Sequence, residues 1–172
     1  MARENDEIYC LDASAMIELS KKYPVRIFPG IWAGVEQLAT SGRLITFKGI
    51  ADECHDEECT EWSRLHKGVI RPFSEDLNEC LNQLLGELAS SGRRMFNPSA
   101  EKDERDPFLI ALAMAERKQT EHTIMPATIA VLAEEARVGA NAITLKIPNV
   151  CDLYGIPCFN VLQMFENEHW SF

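Results

Sequence analysis

Ile8-Tyr9-Cys10-Leu11-Asp12-Ala13-Ser14-Ala15-Met16-Ile17-Glu18-Leu19 changes its periodicity at Asp12. The four residues before Asp12 form a continuous apolar run, the pattern of a strand buried on both faces. The residues after it are good helix formers. Met16, Ile17 and Leu19 are spaced toward one face, and Lys21 and Lys22 fall in the last turn. A buried strand that runs straight into a helix is the building unit of an α/β fold. Asp12 therefore stands at the C-terminal end of a central strand, the edge at which open α/β sheets bind ligands. Asp12 or Ser14 also suits the cap of the following helix, and one carboxylate can do both jobs.

The same unit recurs outward along the chain. Pro24 interrupts it, and residues 31–41 read as a helix with Ile31, Val35, Leu38 and Ala39 inward and Gly42 as its stop. Leu44-Ile45-Thr46-Phe47 is a short strand. Gly49 to Cys54 opens a helical stretch in which Glu53 lies beside the stripe formed by Ile50 and Cys54. Glu57 to Leu65 continues as helix with Trp62 and Leu65 inward, and Val69-Ile70 is extended. Residues 76–89, with Leu77, Leu81, Leu84, Leu85 and Leu88, make an amphipathic helix. Residues 93–105 are polar and read as a loop.

Asp106-Pro107-Phe108-Leu109-Ile110-Ala111-Leu112-Ala113-Met114-Ala115 is apolar almost all round, so a buried helix is expected to about Lys118. Pro107 suits its first helical position and Asp106 its cap, facing the positive end of the dipole. After a loop over residues 119–127, Thr128 to Ala133 is a second central strand that ends in Glu134-Glu135. Residues 146–155 form a short helix stopped by Gly155, residues 157–160 a short strand and residues 161–167 a last helix, with Trp170 and Phe172 packing back on the body. The alternation predicts a three-layer α/β/α sandwich with a mostly parallel central sheet, as a single domain over residues 1–172.

Composition narrows the function. The 17 basic and 27 acidic residues give a net charge of −10, which argues against a protein that coats nucleic acid and favours a basic partner, but leaves room for an acidic metal site. The polar, acidic Met1 to Glu7 carries no secretory pattern, and no apolar run reaches membrane-spanning length, so a cytoplasmic protein without a membrane role is expected. Six scattered cysteines with no C-x-x-C pair read as reduced thiols. Cys54, His55, Cys59 and His66 match no common zinc spacing. None of the four histidines stands beside a nucleophile motif, and no glycine-rich nucleotide loop occurs.

Acids remain. Asp12 and Glu135 end strands, Asp106 opens a buried helix at the same rim, and Glu53 can join them from its own helix. Carboxylates that converge in a partly dry pocket raise one another's pKa unless a cation is present. Mg²⁺ or Mn²⁺ meets that need with oxygen ligands and activates water for attack on a phosphodiester. The geometric expectation is that Asp12, Glu53 and Asp106 converge within the span of one or two ions.

Leu11-Asp12-Ala13-Ser14, Ile50-Ala51-Asp52-Glu53, Asp106-Pro107-Phe108-Leu109-Ile110-Ala111-Leu112-Ala113 and the strand ending in Glu134-Glu135, taken in that order, resemble the PIN-domain nucleases. Lys146-Ile147-Pro148-Asn149-Val150-Cys151 resembles a bacterial PIN-like subfamily of unknown function. The resemblance covers nearly the whole chain. It implies a three-layer fold, Mg²⁺ or Mn²⁺, and RNA cleavage, often by the toxin of a toxin–antitoxin pair. Position by position it implies Asp12, Glu53, Asp106 and Glu135 as metal ligands and catalytic acids, with Ser14 in support and Glu134 as the rival of Glu135. Asn149 is a further polar contact. Ala133 departs from the pattern, since the family has a threonine there.

RNA is the expected substrate, and an antitoxin protein or a second copy in a homodimer are the candidate partners. Arg93, Arg94, Lys102 and Arg105, in the loop before Asp106, are candidates for phosphate contact, against the reading that they only solubilise the loop. The competing function is a catalytically inactive PIN-like scaffold that binds a partner protein or RNA. A phosphatase with Asp12 as nucleophile is disfavoured, because Ser14 stands where a second aspartate is required.

Overall fold

A computed structural model describes residues 7–53, 55, 57–96, 105–124 and 126–171. Five strands form one sheet in the order β3-β2-β1-β4-β5, and every pairing is parallel. They are β1 (Ile8–Leu11), β2 (Leu44–Phe47), β3 (Ile70–Arg71), β4 (Ile129–Leu132) and β5 (Cys158–Phe159). β1 is the centre. Its Tyr9 and Cys10 pair with Leu44 and Ile45, and Ile8 to Leu11 pair with Ile129 to Leu132. The apolar runs of β1 and β4 are buried on both faces, as expected for inner parallel strands.

The helices are α1 (Ala13–Lys22), α2 (Pro29–Thr40), α3 (Lys48–Ala51), α4 (Glu57–Leu65), α5 (Glu75–Ser90), α6 (Asp106–Thr120), α7 (Ile147–Tyr154) and α8 (Val161–Asn167). From β1 the chain steps one way to β2 and β3. It then crosses through α5 and α6 to β4 on the other side of β1, and α7 leads on to β5. Right-handed crossovers in opposite directions put their helices on opposite faces. Accordingly α6 packs against β1, β2 and β4 with α5 and α7 beside it, while α1 touches α4 and α8, and α2 covers β2. This is a three-layer α/β/α sandwich. Among the described residues no helix is long and apolar enough to cross a membrane.

α6 is the hub of its layer. Leu109 to Ala115 are all buried, and the run of small and large apolar residues lets the helix sit between α5 and the sheet without a polar face. The opposite layer is pinned by a polar network. Arg43 makes a two-bonded contact with Glu168, at 2.9 and 2.6 Å, and Tyr9 Oη donates to the same carboxylate at 2.7 Å. This ties α8 to β1 and β2. Trp170 stacks on Phe165 and fills the space above Gly34, where a Cβ would collide with the indole ring.

Several local expectations change. Arg105 is the cap residue of α6, with no side-chain capping bond; Asp106 is its first helical residue and Pro107 its second. The Asp106 carboxylate is therefore not consumed as a cap. α3 is a single turn ending at Ala51, so Glu53 lies on the turn after it rather than on a helix. The exposed Lys48–Asp52 pair spans this turn. Leu65 points outward, 64% exposed, at the end of α4, while Cys59 and Trp62 reach the core. Val69 belongs to a 3₁₀ turn, and β3 begins at Ile70.

Candidate metal centre

The strand order reverses between β1 and β4, and both strands end at the same edge. That junction is where an open parallel sheet leaves a crevice, because the chain departs in opposite directions from two neighbouring strands. Asp12 follows β1 there, and Glu134 and Glu135 lie beyond the end of β4. Ser14 stitches the two ends together. Its backbone N–H donates to Asp12 Oδ2 at 3.0 Å, its hydroxyl donates to the same oxygen, and the Glu134 N–H donates to Ser14 Oγ at 3.0 Å. Asp12 thus caps α1 and is held rigidly at the crevice. Replacing Ser14 with Ala leaves the Glu134 N–H without its partner. The expected cost is about 1 kcal/mol in urea-melt stability.

Asp12 is only 8% exposed, and burial pushes its carboxyl pKa above the usual range; the two Ser14 hydrogen bonds oppose this and the Glu135 charge adds to it. Asp106 is raised further, to about 7. Burial is the largest cause, followed by the negative charges of Glu135, Asp12 and Glu53, with Lys146 opposing. The charges of Glu135, Asp12 and Glu53 thus all act on Asp106.

The outer two acids have basic company. Glu53 lies 3.9 Å from Arg105, whose side chain occupies the space that a Cβ on Gly49 would need. Glu135 accepts from Lys146 Nζ at 3.0 Å and from the Ile147 N–H at 3.1 Å, capping α7. Among the described residues, no group of three or more His, Cys, Asp or Glu side chains stands close enough together to hold an ion. Glu53 and Glu135 are thus paired with Arg105 and Lys146.

The supporting residues divide. Glu134 turns its carboxylate to the Val161 N–H at 2.7 Å, at the start of α8, so Glu135 rather than Glu134 faces Asp106. Asn149 forms a two-way clamp with the Val138 backbone, at 2.9 and 3.0 Å, and holds the loop after β4 instead of reaching the acids. Arg93 donates to Ala140 O, and Arg94 donates to Thr144 Oγ1 within an isolated bridge between those two backbones. Both arginines therefore secure the 139–144 loop. Arg105 alone of the four basic candidates is seen beside the acids, and Lys102 lies outside the described residues. His66 turns its ring to Trp62 O and to Glu36, away from a zinc arrangement. Cys54 lies outside the described residues.

Sequence reasoning missed a crevice beneath Asp12. About 10 Å³ in size, it is lined by Asp12, Thr46, Ser63, Ala51 and Trp62 among others. Trp62 Nε1 is a buried donor with no hydrogen-bond partner among the described residues. The volume matches about one water molecule. Only folding brings α1, β2 and α4 together, so no local signal could have revealed it.

Donor chemistry fits a hard divalent cation. Carboxylate and hydroxyl oxygens suit Mg²⁺ or Mn²⁺. An Asp106 carboxyl whose pKa is raised by burial and, after it, by neighbouring negative charge is a group that a cation would relieve. Comparison with known proteins finds no significant match among curated proteins or solved structures. Residues 9–172 match the family described as domain of unknown function (DUF4411), and the chain belongs to that family.

Proposed function

We propose that the protein is a metal-dependent endoribonuclease that hydrolyses RNA phosphodiester bonds, acting as the toxin of a toxin–antitoxin pair. The observation that carries this reading is the placement of Asp106, with its raised pKa, among Asp12, Glu53 and Glu135 at the sheet's topological switch point. The likeness of the quoted motifs to PIN-domain nucleases supports it. Asp12 and Asp106, joined by Glu53 and Glu135, would hold the Mg²⁺ or Mn²⁺. Bound there, such an ion supplies Lewis-acid chemistry, polarising a phosphoryl oxygen and making water nucleophilic at neutral pH. Ser14 orients Asp12. Arg105 and Lys146 balance the outer acids until substrate arrives, and Arg105 then has a guanidinium free to meet a phosphate.

The test is cleavage of labelled single-stranded RNA by the purified protein with Mn²⁺, Mg²⁺ or EDTA. The expected result is cleavage with either metal and none with EDTA. Metal-independent cleavage, or intact RNA under all three conditions, would remove the reading.

A second reading has its own observation. Glu53 and Glu135 are paired with Arg105 and Lys146, and Ala133 replaces the family threonine. These features suit an inactive PIN-like scaffold that binds a partner protein or RNA. Calorimetry separates the two readings: Mn²⁺ binding that depends on Asp106 excludes the scaffold.

A further inference from the structure

A groove of about 970 Å³ opens beside the carboxylates, between α3, α4 and the segment through β3. Its walls carry Lys48, Arg64, Lys67 and Arg71, and the rings of Phe47 and Phe73. Among the described lining residues these four cations stand with one carboxylate, Asp52, while Glu61 and Glu116 pair with Arg64 and Arg71 from just outside the groove. Among the described residues Lys48 and Arg64 form exposed pairs with Asp52 and Glu61, which are weak and readily exchanged. Arg71 is fixed by Glu116 at 3.0 Å and gives the groove a rigid edge.

The aromatic rings form a ladder. Phe108, two residues after Asp106, stacks on Phe47 with centroids 5.3 Å apart and planes at 7°. Phe73 meets Phe47 edge-on at 6.3 Å and is 55% exposed. An exposed ring among cations offers a stacking face beside phosphate-binding charge, the combination that accommodates unstacked bases. The groove also shares a wall with the small crevice under Asp12: Ala51 and Ser63 line both.

From this juxtaposition we infer that the groove seats single-stranded RNA, with bases against Phe73 and Phe47 and phosphates on Lys67, Lys48 and Arg64, and feeds the strand toward Asp12 and Asp106. The inference rests on the nuclease reading for the identity of the strand. A duplex keeps its bases stacked and cannot use the rings. An acidic peptide would satisfy the cations and leave the rings uncovered.

Fluorescence anisotropy with a labelled ten-nucleotide single-stranded RNA in EDTA tests the inference without cleavage. The wild-type protein is expected to bind with a log–log salt slope of about −2 to −3, from three or four phosphate contacts. Phe73→Ala weakens binding about tenfold, and Phe73→Trp restores it. Lys67→Glu weakens binding and flattens the salt slope. Unchanged binding by Phe73→Ala and Lys67→Glu overturns the inference. So does tighter binding of duplex RNA or of a glutamate-rich peptide, or no RNA binding at all. Cleavage assays keep the two claims apart. Mn²⁺-dependent cleavage with unchanged KM in both groove variants overturns the groove and leaves the nuclease standing. Groove-dependent binding with no cleavage under any metal supports the groove and removes the nuclease.

Discussion

Asp106→Asn is expected to abolish Mn²⁺-dependent RNA cleavage, by about a thousandfold or more, while the protein keeps its fold. Asn is nearly the same size as Asp, and Asp106 makes no capping bond that the change would break. What the variant loses is a charge at the point where Glu135, Asp12 and Glu53 add their fields. A neutral amide binds a hard cation far less well than a carboxylate does, so metal affinity and transition-state charge stabilisation fall together. Single-turnover cleavage of labelled RNA, with circular dichroism as the control for folding, checks this result. A variant that cleaves at the wild-type rate would show that Asp106 has no part in the chemistry.

The same substitution should stabilise the metal-free protein at neutral and alkaline pH. An ordinary aspartate titrates near 3.8 and Asp106 near 7. Below about pH 4 the group is protonated in both the folded and unfolded states and contributes no penalty. Between about pH 4 and 7 the unfolded chain has lost the proton while the folded protein still holds it, so stability falls as pH rises. Above about pH 7 the full penalty of a buried, repelled charge applies. After allowance for partial solvent exposure, Asp106→Asn is expected to gain about 2 kcal/mol over the wild type at pH 8 and nothing at pH 4. Mn²⁺ reverses the order. At a hundred times its dissociation constant it stabilises the wild type by about 2.7 kcal/mol, and the variant hardly at all. Urea melts at pH 4, 6 and 8, with and without Mn²⁺, read out both effects. A stability difference that does not change with pH would contradict the assigned environment of Asp106.

These expectations rest on features of unequal legibility. β1, β4 and α6 could be read from the sequence because burial on both faces writes continuous apolar runs, and the acids at their ends came with them. The stop signals Gly42 and Gly155 were equally plain; both adopt positive φ in the structure, at 77° and 61°. Residues whose partners are distant in sequence were harder to place. Arg93, Arg94 and Asn149 looked available for substrate or metal, yet each closes the loop between β4 and α7 through bonds made only in the folded state. Glu53 was read as helical from the apolar positions Ile50 and Cys54, but the helix stops after one turn, and the carboxylate lies 3.9 Å from Arg105, a neighbour distant in sequence. The basic groove left no local signal, since Lys48, Arg64, Lys67 and Arg71 belong to four different elements. Within the crevice, only the fold could choose between Glu134 and Glu135: α8 takes the first and Asp106 feels the second.

Both expected results turn on whether the carboxylates at the ends of β1 and β4 and at the start of α6 hold a divalent cation. Crystals soaked in Mn²⁺ and measured at a wavelength with strong manganese anomalous signal would show it. The expected map has a peak between Asp12 and Asp106, about 2.0–2.6 Å from an oxygen of each, with Glu53 or Glu135 swung away from its basic partner to join them. A map with no peak at this edge, or with manganese bound elsewhere on the acidic surface, would contradict a metal centre at the switch point and the nuclease built on it.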